Sequence, residues 1–171
     1  MLQIYTGDGK GKTTASIGQG IRAAGRGYRV CMVQFLKGGP TGELEIIKNI
    51  PNFNIFRFES PRDFVWNLKG DEIEELKLEI KEGYKFIIKT LENNECDLLI
   101  IDEIMGVLSY DFITKEEVIK LLESNKNNIE IVMTGRNVPD YLVERADLIT
   151  EMKPIKHYFD KGVPARKGIE Y

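Results

Sequence analysis

Six short apolar runs, spread along the whole chain, constrain the fold more than any other feature. They fall at 2–5, 29–35, 53–58, 97–101, 129–134 and 147–152. Several are nearly continuous in hydrophobic residues rather than alternating, as in VCMVQF and DLLII. A strand reads this way when both of its faces are covered, the condition of a parallel sheet. Helical patterns lie between the runs. Ile73, Leu76, Ile80, Tyr84, Ile87 and Leu91 recur three or four apart and form one apolar stripe over 71–91. Thr114 with Glu117 three residues on is a capping box ahead of Val118, Leu121 and Leu122. Pro139 suits the first turn of another short helix. With 171 residues, the chain is the size of one domain. The alternation predicts a single α/β domain over 1–171, with a mainly parallel sheet and helices on both faces. Ligands of such sheets bind at the carboxyl ends of the strands. Segments 37–42 (KGGPTG) and 60–70 (SPRDFVWNLKG) read as long loops, and 153–171 as an irregular tail.

The first run leads into TGDGKGKTTAS, followed by a helical pattern over 12–26. Strand, glycine-rich turn and helix are the context of a phosphate-binding loop. Gly7, Gly9 and Gly11 let backbone N–H groups converge on an anion, and the helix N-terminus adds a favourable dipole. Lys12 would reach phosphate oxygens, and Thr13 would place its hydroxyl on Mg²⁺. One residue departs from the general pattern G-x-x-x-x-G-K-[ST]: Thr6 stands where the first glycine belongs. The substitution alters the entry to the loop and leaves its Gly-Lys-Thr end intact. The run at 97–101 ends in Asp102 and Glu103, where such proteins carry a carboxylate that holds Mg²⁺ directly or through water. A further strand end, TGRN, offers Arg136, whose guanidinium fork suits phosphate oxygens or a structural ion pair. These residues together predict an ATP·Mg site on a P-loop NTPase-like, RecA-like fold.

Composition narrows the partners. A net charge of −3, from 24 basic and 27 acidic residues, argues against a nucleic-acid binder. No apolar run approaches the roughly 18 residues of a membrane span. The start, LQIY, is strand-like and carries no secretion signal, so a cytoplasmic location is expected. Cys31 and Cys96 form no metal-type pair and read as small buried or half-buried thiols. Neither they nor His157, the only histidine, suggests nucleophilic or metal chemistry; His157 fits a role in packing the tail. The loop alone would equally serve an ATPase, a small-molecule kinase or a non-catalytic carrier.

More of the sequence resembles one family, the corrinoid adenosyltransferases of the CobA/CobO/BtuR type. The stretches are TGDGKGKTTAS, VQFLKG with Gly42-Glu43 after it, Phe64-x-Trp66, IIDE, TGRN and the tail ADLITEMKPIKHYFDKGVPARKGIEY. They run from residue 5 to 171, and the family's own loop carries Thr at the position of Thr6. The resemblance implies transfer of the 5′-deoxyadenosyl group of ATP to Co(I) of a corrinoid, with triphosphate as the leaving group. It implies that Gly7, Asp8, Gly9, Lys10, Gly11, Lys12, Thr13, Thr14, Glu43 and Arg136 bind ATP. Lys12, Thr13 and Glu103 would act in catalysis, with Mg²⁺ on Thr13, Glu103 and Asp102. Phe64 and Trp66 would pack by the corrin and help displace its lower axial ligand, the competing reading for Trp66 being ordinary core. A homodimer and a flavoprotein reductant are implied as well. Many relatives carry an extension ahead of the first strand that covers the active site. Here Met1 stands directly on that strand, which implies weaker closure or closure by another segment.

Overall fold

A computed structural model describes residues 1–170. Six parallel strands form one sheet: β1 (Leu2–Thr6), β2 (Val30–Gln34), β3 (Phe53–Phe56), β4 (Leu98–Asp102), β5 (Glu130–Thr134) and β6 (Leu148–Glu151), in the order β3-β2-β4-β5-β1-β6. Side chains alternate between two apolar layers. Val30, Met32, Leu98 and Ile100 face one layer, and Cys31, Val33, Leu99 and Ile101 the other. Burial on both faces is why the central strands lack polar alternation.

The first layer is closed by α1 (Lys12–Ala24) and α2 (Gly42–Ile47), through Ile17, Ala23, Ala24 and Ile47. Helix α1 lies close to the sheet because its contact face is small: a Cβ on Gly20 would stand 2.5 Å from the Phe53 ring. The second layer is closed by α3 (Asp71–Glu92), α4 (Ile104–Ser109) and α5 (Lys115–Ser124). Leu76, Ile80, Tyr84, Ile87 and Leu91 are buried as the α3 stripe requires. Both bonds of the capping box at Thr114 are present. Glu117 also pairs with Lys81 at 2.5 Å, tying α5 to α3.

Several local expectations shift. Helices α2 and α4 are six residues each, too short to show a period in sequence. Pro139 is the N-cap of α6 (Asp140–Val143), one residue ahead of its first turn. Among the described residues strand β6 pairs with β1 alone, and it is exposed throughout. Cys31 and Cys96 are buried free thiols. A hydrogen bond with Cys96, then burial, pushes the Cys31 thiol up, which leaves it unreactive. Among the described residues no helix is long and apolar enough to cross a membrane.

The register aligns the carboxyl ends of the strands. Gln34 stands beside Asp102, and Tyr5 beside Thr134. Strand β5 therefore separates the strand that feeds the glycine-rich loop from the strand that ends in acids, and all three open on one edge.

Candidate active site

The loop after β1 is bent by two glycines in the left-handed region, Gly7 at φ +99° and Gly11 at φ +122°. Thr6 remains inside β1, so the first residue that needs glycine's freedom is Gly7. This is the physical reason a threonine is tolerated at position 6. The loop also lies against the chain leaving β6: a Cβ on Gly7 would meet the Met152 carbonyl at 2.4 Å, and the Gly9 N–H donates to that carbonyl at 2.7 Å. Behind the loop, α1 begins with no side-chain cap. Its first intrahelical bond is Ala15 N–H to Gly11 O, at 2.7 Å. The amides of Lys12, Thr13 and Thr14 thus point out of the helix end, the arrangement that attracts an anion. Lys12 folds back over the loop and donates to Gly7 O at 2.6 Å and Gly9 O at 3.0 Å. Burial, then the nearby Arg136 charge, lowers its pKa.

Asp102 is the centre of the site. It is fully buried and accepts from Thr134 Oγ1 at 2.6 Å, Thr13 Oγ1 at 3.0 Å, Lys37 Nζ at 2.8 Å and Gln34 Nε2 at 3.1 Å. Lys37 Nζ also donates to Thr13 Oγ1, at 2.9 Å. The far end of Gln34 accepts from Arg57 Nε at 2.9 Å, and Arg57 reaches Thr41 Oγ1 at 2.9 Å. Glu103 differs sharply from its neighbour. Its backbone is left-handed at φ +62° and held by Thr134 Oγ1, at 2.9 Å from its N–H. Its half-buried carboxylate makes no hydrogen bond among the described residues. Burial, then the charge of Asp102, raises its pKa.

The structure brings Thr13 to Asp102 rather than to Glu103. It also reveals Lys37, Gln34, Thr134 and Arg57, which sequence reasoning gave no role. The available signal was Gln34, a polar residue inside an apolar run, with Lys37 shortly after it. Glu43 lies in the first turn of α2 and acts on the Arg57 charge, without a hydrogen bond to the loop among the described residues. Asp8, Lys10 and Thr14 are exposed along the loop. Arg136 stands 3.5 Å from Asp8. This pair lines an open cavity of about 360 Å³ together with Pro154, His157, Phe159 and Asp160 from the tail. His157 accepts from the Phe159 N–H at 3.1 Å, which fits tail packing.

Phe64 and Trp66 stack with ring centroids 4.6 Å apart and planes 4° from parallel. They are 64% and 70% exposed, so Trp66 is not core. The loop beneath them is fastened: Arg62 pairs with Glu79 at 2.5 Å, and Asp63 accepts from the Phe64 N–H at 2.7 Å. It touches the turn that carries Lys37, since a Cβ on Gly38 would stand 2.7 Å from Pro61 Cα.

Glu59 links the same two segments. Its carboxylate accepts from the Leu36 N–H at 2.6 Å, and Leu36 is left-handed at φ +56°. Burial pushes Glu59 up from 4.5 to about 7. The folded state therefore holds this proton more tightly than the unfolded chain. The stabilisation is complete below about pH 4.5 and lost as pH rises through about 7. Glu59→Gln should flatten the fall in Tm between pH 5 and pH 8, a slope worth at most about 3 kcal/mol. Melting curves at the two pH values check this, and an unchanged slope would assign the pH dependence elsewhere.

Comparison with known proteins gives the family. Residues 1–171 match the family model described as ATP:corrinoid adenosyltransferase BtuR/CobO/CobP. The chain is 34% identical over 172 residues to the corrinoid adenosyltransferase of Escherichia coli strain K12, spanning 100% of this chain and 85% of that protein. It is 33% identical over 174 residues to corrinoid adenosyltransferase CobA of Salmonella typhimurium strain LT2, with the same coverage of 100% and 85%. Among solved structures, the flagellar accessory protein FlaH of Methanocaldococcus jannaschii superposes with a TM-score of 0.55 at 14% identity, covering 88% of this chain and 69% of FlaH. That likeness bears on the fold alone, an α/β parallel sheet flanked by helices. The match along the full sequence carries the further conclusion that the chain belongs to the ATP:corrinoid adenosyltransferase family of BtuR, CobO and CobP.

Proposed function

We propose that the protein adenosylates a corrinoid, either cobalamin or a precursor, by transferring the 5′-deoxyadenosyl group of ATP to Co(I). The electron pair of Co(I) forms the Co–C5′ bond, the C5′–O bond breaks, and triphosphate departs with that bond's electrons. No side-chain nucleophile or general base is required. The observation that supports this reading is that the loop carrying the exposed Phe64–Trp66 stack packs on the turn carrying Lys37, whose ammonium is bonded to Thr13 and Asp102 beside the uncapped end of α1. A kinase or ATPase needs the first and not the second.

On this reading the amides of residues 10–14, with the side chains of Lys10, Lys12 and Thr14, cradle the triphosphate, the Gly9 amide being held by the Met152 carbonyl, and Arg136 reaches it from the Asp8 side. Glu43 contacts the ribose. The stacked rings offer a flat apolar face to the corrin and disfavour the lower axial ligand, easing reduction of Co(II) to Co(I). Thr13, Asp102 and Glu103 supply the hard oxygen donors that Mg²⁺ prefers, and a cation already lies between two of them. Mg²⁺ bound there would neutralise charge on the leaving triphosphate. A homodimer, a flavoprotein electron donor and a cytoplasmic location complete the proposal.

The test is incubation of purified protein with ATP, Mg²⁺ and chemically generated cob(I)alamin, followed by visible absorbance and identification of the phosphate product. Adenosylcobalamin with triphosphate is expected; unchanged corrinoid with ADP and phosphate would mean a kinase or ATPase. Trp66→Ala should slow the reaction begun from cob(II)alamin at least about tenfold more than that from pre-reduced cob(I)alamin, a difference of about 1.4 kcal/mol. Equal effects in the two assays would reduce Trp66 to a packing residue.

A further inference from the structure

The ammonium of Lys37 lies where the proposed ATP·metal site needs a divalent cation. It donates to Thr13 Oγ1 at 2.9 Å and to Asp102 Oδ2 at 2.8 Å. Thr13 Oγ1 meanwhile donates to Asp102 Oδ1 at 3.0 Å. A hydroxyl has one proton and two lone pairs. Its proton is spent on Asp102, and Lys37 occupies the acceptor side on which a metal would bind. Asp102 is fully buried and Lys37 largely so, with side-chain exposures of 0% and 24%. A carboxylate at that depth requires a cation beside it, and Lys37 is the only one hydrogen-bonded to Asp102 among the described residues. The backbone before Lys37 is anchored by the Leu36–Glu59 bond. Its head, by contrast, rides on a flexible four-carbon stem.

We propose that Lys37 is the resident counter-ion of Asp102: it fills the cation position between Thr13 and Asp102, keeps free divalent metal out, and moves to a triphosphate oxygen when metal enters with nucleotide. The proposal rests on the ATP·metal reading above. Charge balance drives the exchange. A bare divalent ion entering alone would meet an ammonium whose other nearby carboxylate, Glu103, is itself a ligand the metal would need. Metal arriving with a polyphosphate brings both a replacement cation for Asp102 and a new partner for Lys37. The site would thus admit metal only together with nucleotide.

Mn²⁺ serves as the probe, the fraction retained with the protein on ultrafiltration being read by electron paramagnetic resonance against a protein-free control with the same ATP. Wild type should bind Mn²⁺ weakly alone and tightly with ATP. Lys37→Ala should bind Mn²⁺ without nucleotide at least about tenfold more tightly than wild type does, because the repulsive cation is gone and Asp102 lacks a partner. Adding Asp102→Asn should abolish that gain. Where Lys37→Ala folds poorly, Mg²⁺ alone should raise its melting temperature by several degrees and leave wild type nearly unmoved. Equal nucleotide-free Mn²⁺ affinity in wild type and Lys37→Ala, with ATP recruiting Mn²⁺ to both, would overturn the role of Lys37 and leave the ATP reading standing. Failure of both proteins to take up Mn²⁺ even with ATP would overturn the ATP·metal reading itself, and this proposal with it.

Discussion

Lys12→Ala should yield a folded protein whose kcat/KM for ATP falls by roughly 10²–10⁴. The magnitude follows from two charge-assisted hydrogen bonds to phosphate, each worth about 1.5–3 kcal/mol. The fold should tolerate the change. Among the described residues Lys12 donates to Gly7 O and Gly9 O alone, and α1 is held from its other side, by Ile17, Ala23 and Ala24 against the sheet. Burial and the Arg136 charge already disfavour the ammonium, so removing it relieves a cost when no anion is present. Circular dichroism and melting curves should match wild type while ATP binding and adenosylation fail together. Near-normal turnover would show that the helix-end amides hold the triphosphate without the lysine.

The legible part of this protein was the part written in period and glycine. The parallel sheet showed in the continuous runs, α3 in its stripe, α5 in its capping box and the bend between β1 and α1 in its glycines. What was illegible depends on distance across the sheet. Thr13 and Asp102 are 89 positions apart, and only the strand order brings them together. Lys37 reads as one cation in a glycine-rich loop until the parallel register sets β2 beside β4. Strand β6 was legible as a strand, but its exposed edge position was not, because edge position is not encoded in a strand's own composition. Conversely, the exposure of Trp66 agrees with the loop character of its flanking Arg62, Asp63 and Asn67, residues that would be costly to bury.

Asp102 and Glu103 are adjacent in sequence yet should fail in different ways. Asp102→Asn exchanges one acceptor oxygen for an amide that donates, among four groups that also donate: Thr13, Lys37, Gln34 and Thr134. At least one of them must lose its partner in a fully buried site. Loss of stability of about 3 kcal/mol is expected, the scale for breaking a buried ion pair, together with loss of adenosylation. Glu103 carries no comparable burden. Its carboxylate is half-buried and makes no hydrogen bond among the described residues, and burial and Asp102 already raise its pKa. Glu103→Ala should therefore melt within about 1 kcal/mol of wild type while needing at least about tenfold more Mg²⁺ for half-maximal rate, a loss of about 1.4 kcal/mol. Melting curves and Mg²⁺ titrations of the two variants, run side by side, separate an acid that organises the site from an acid held free for metal. Unchanged Mg²⁺ dependence in Glu103→Ala would transfer the metal to Asp102, which already shares Thr13 with the Lys37 ammonium.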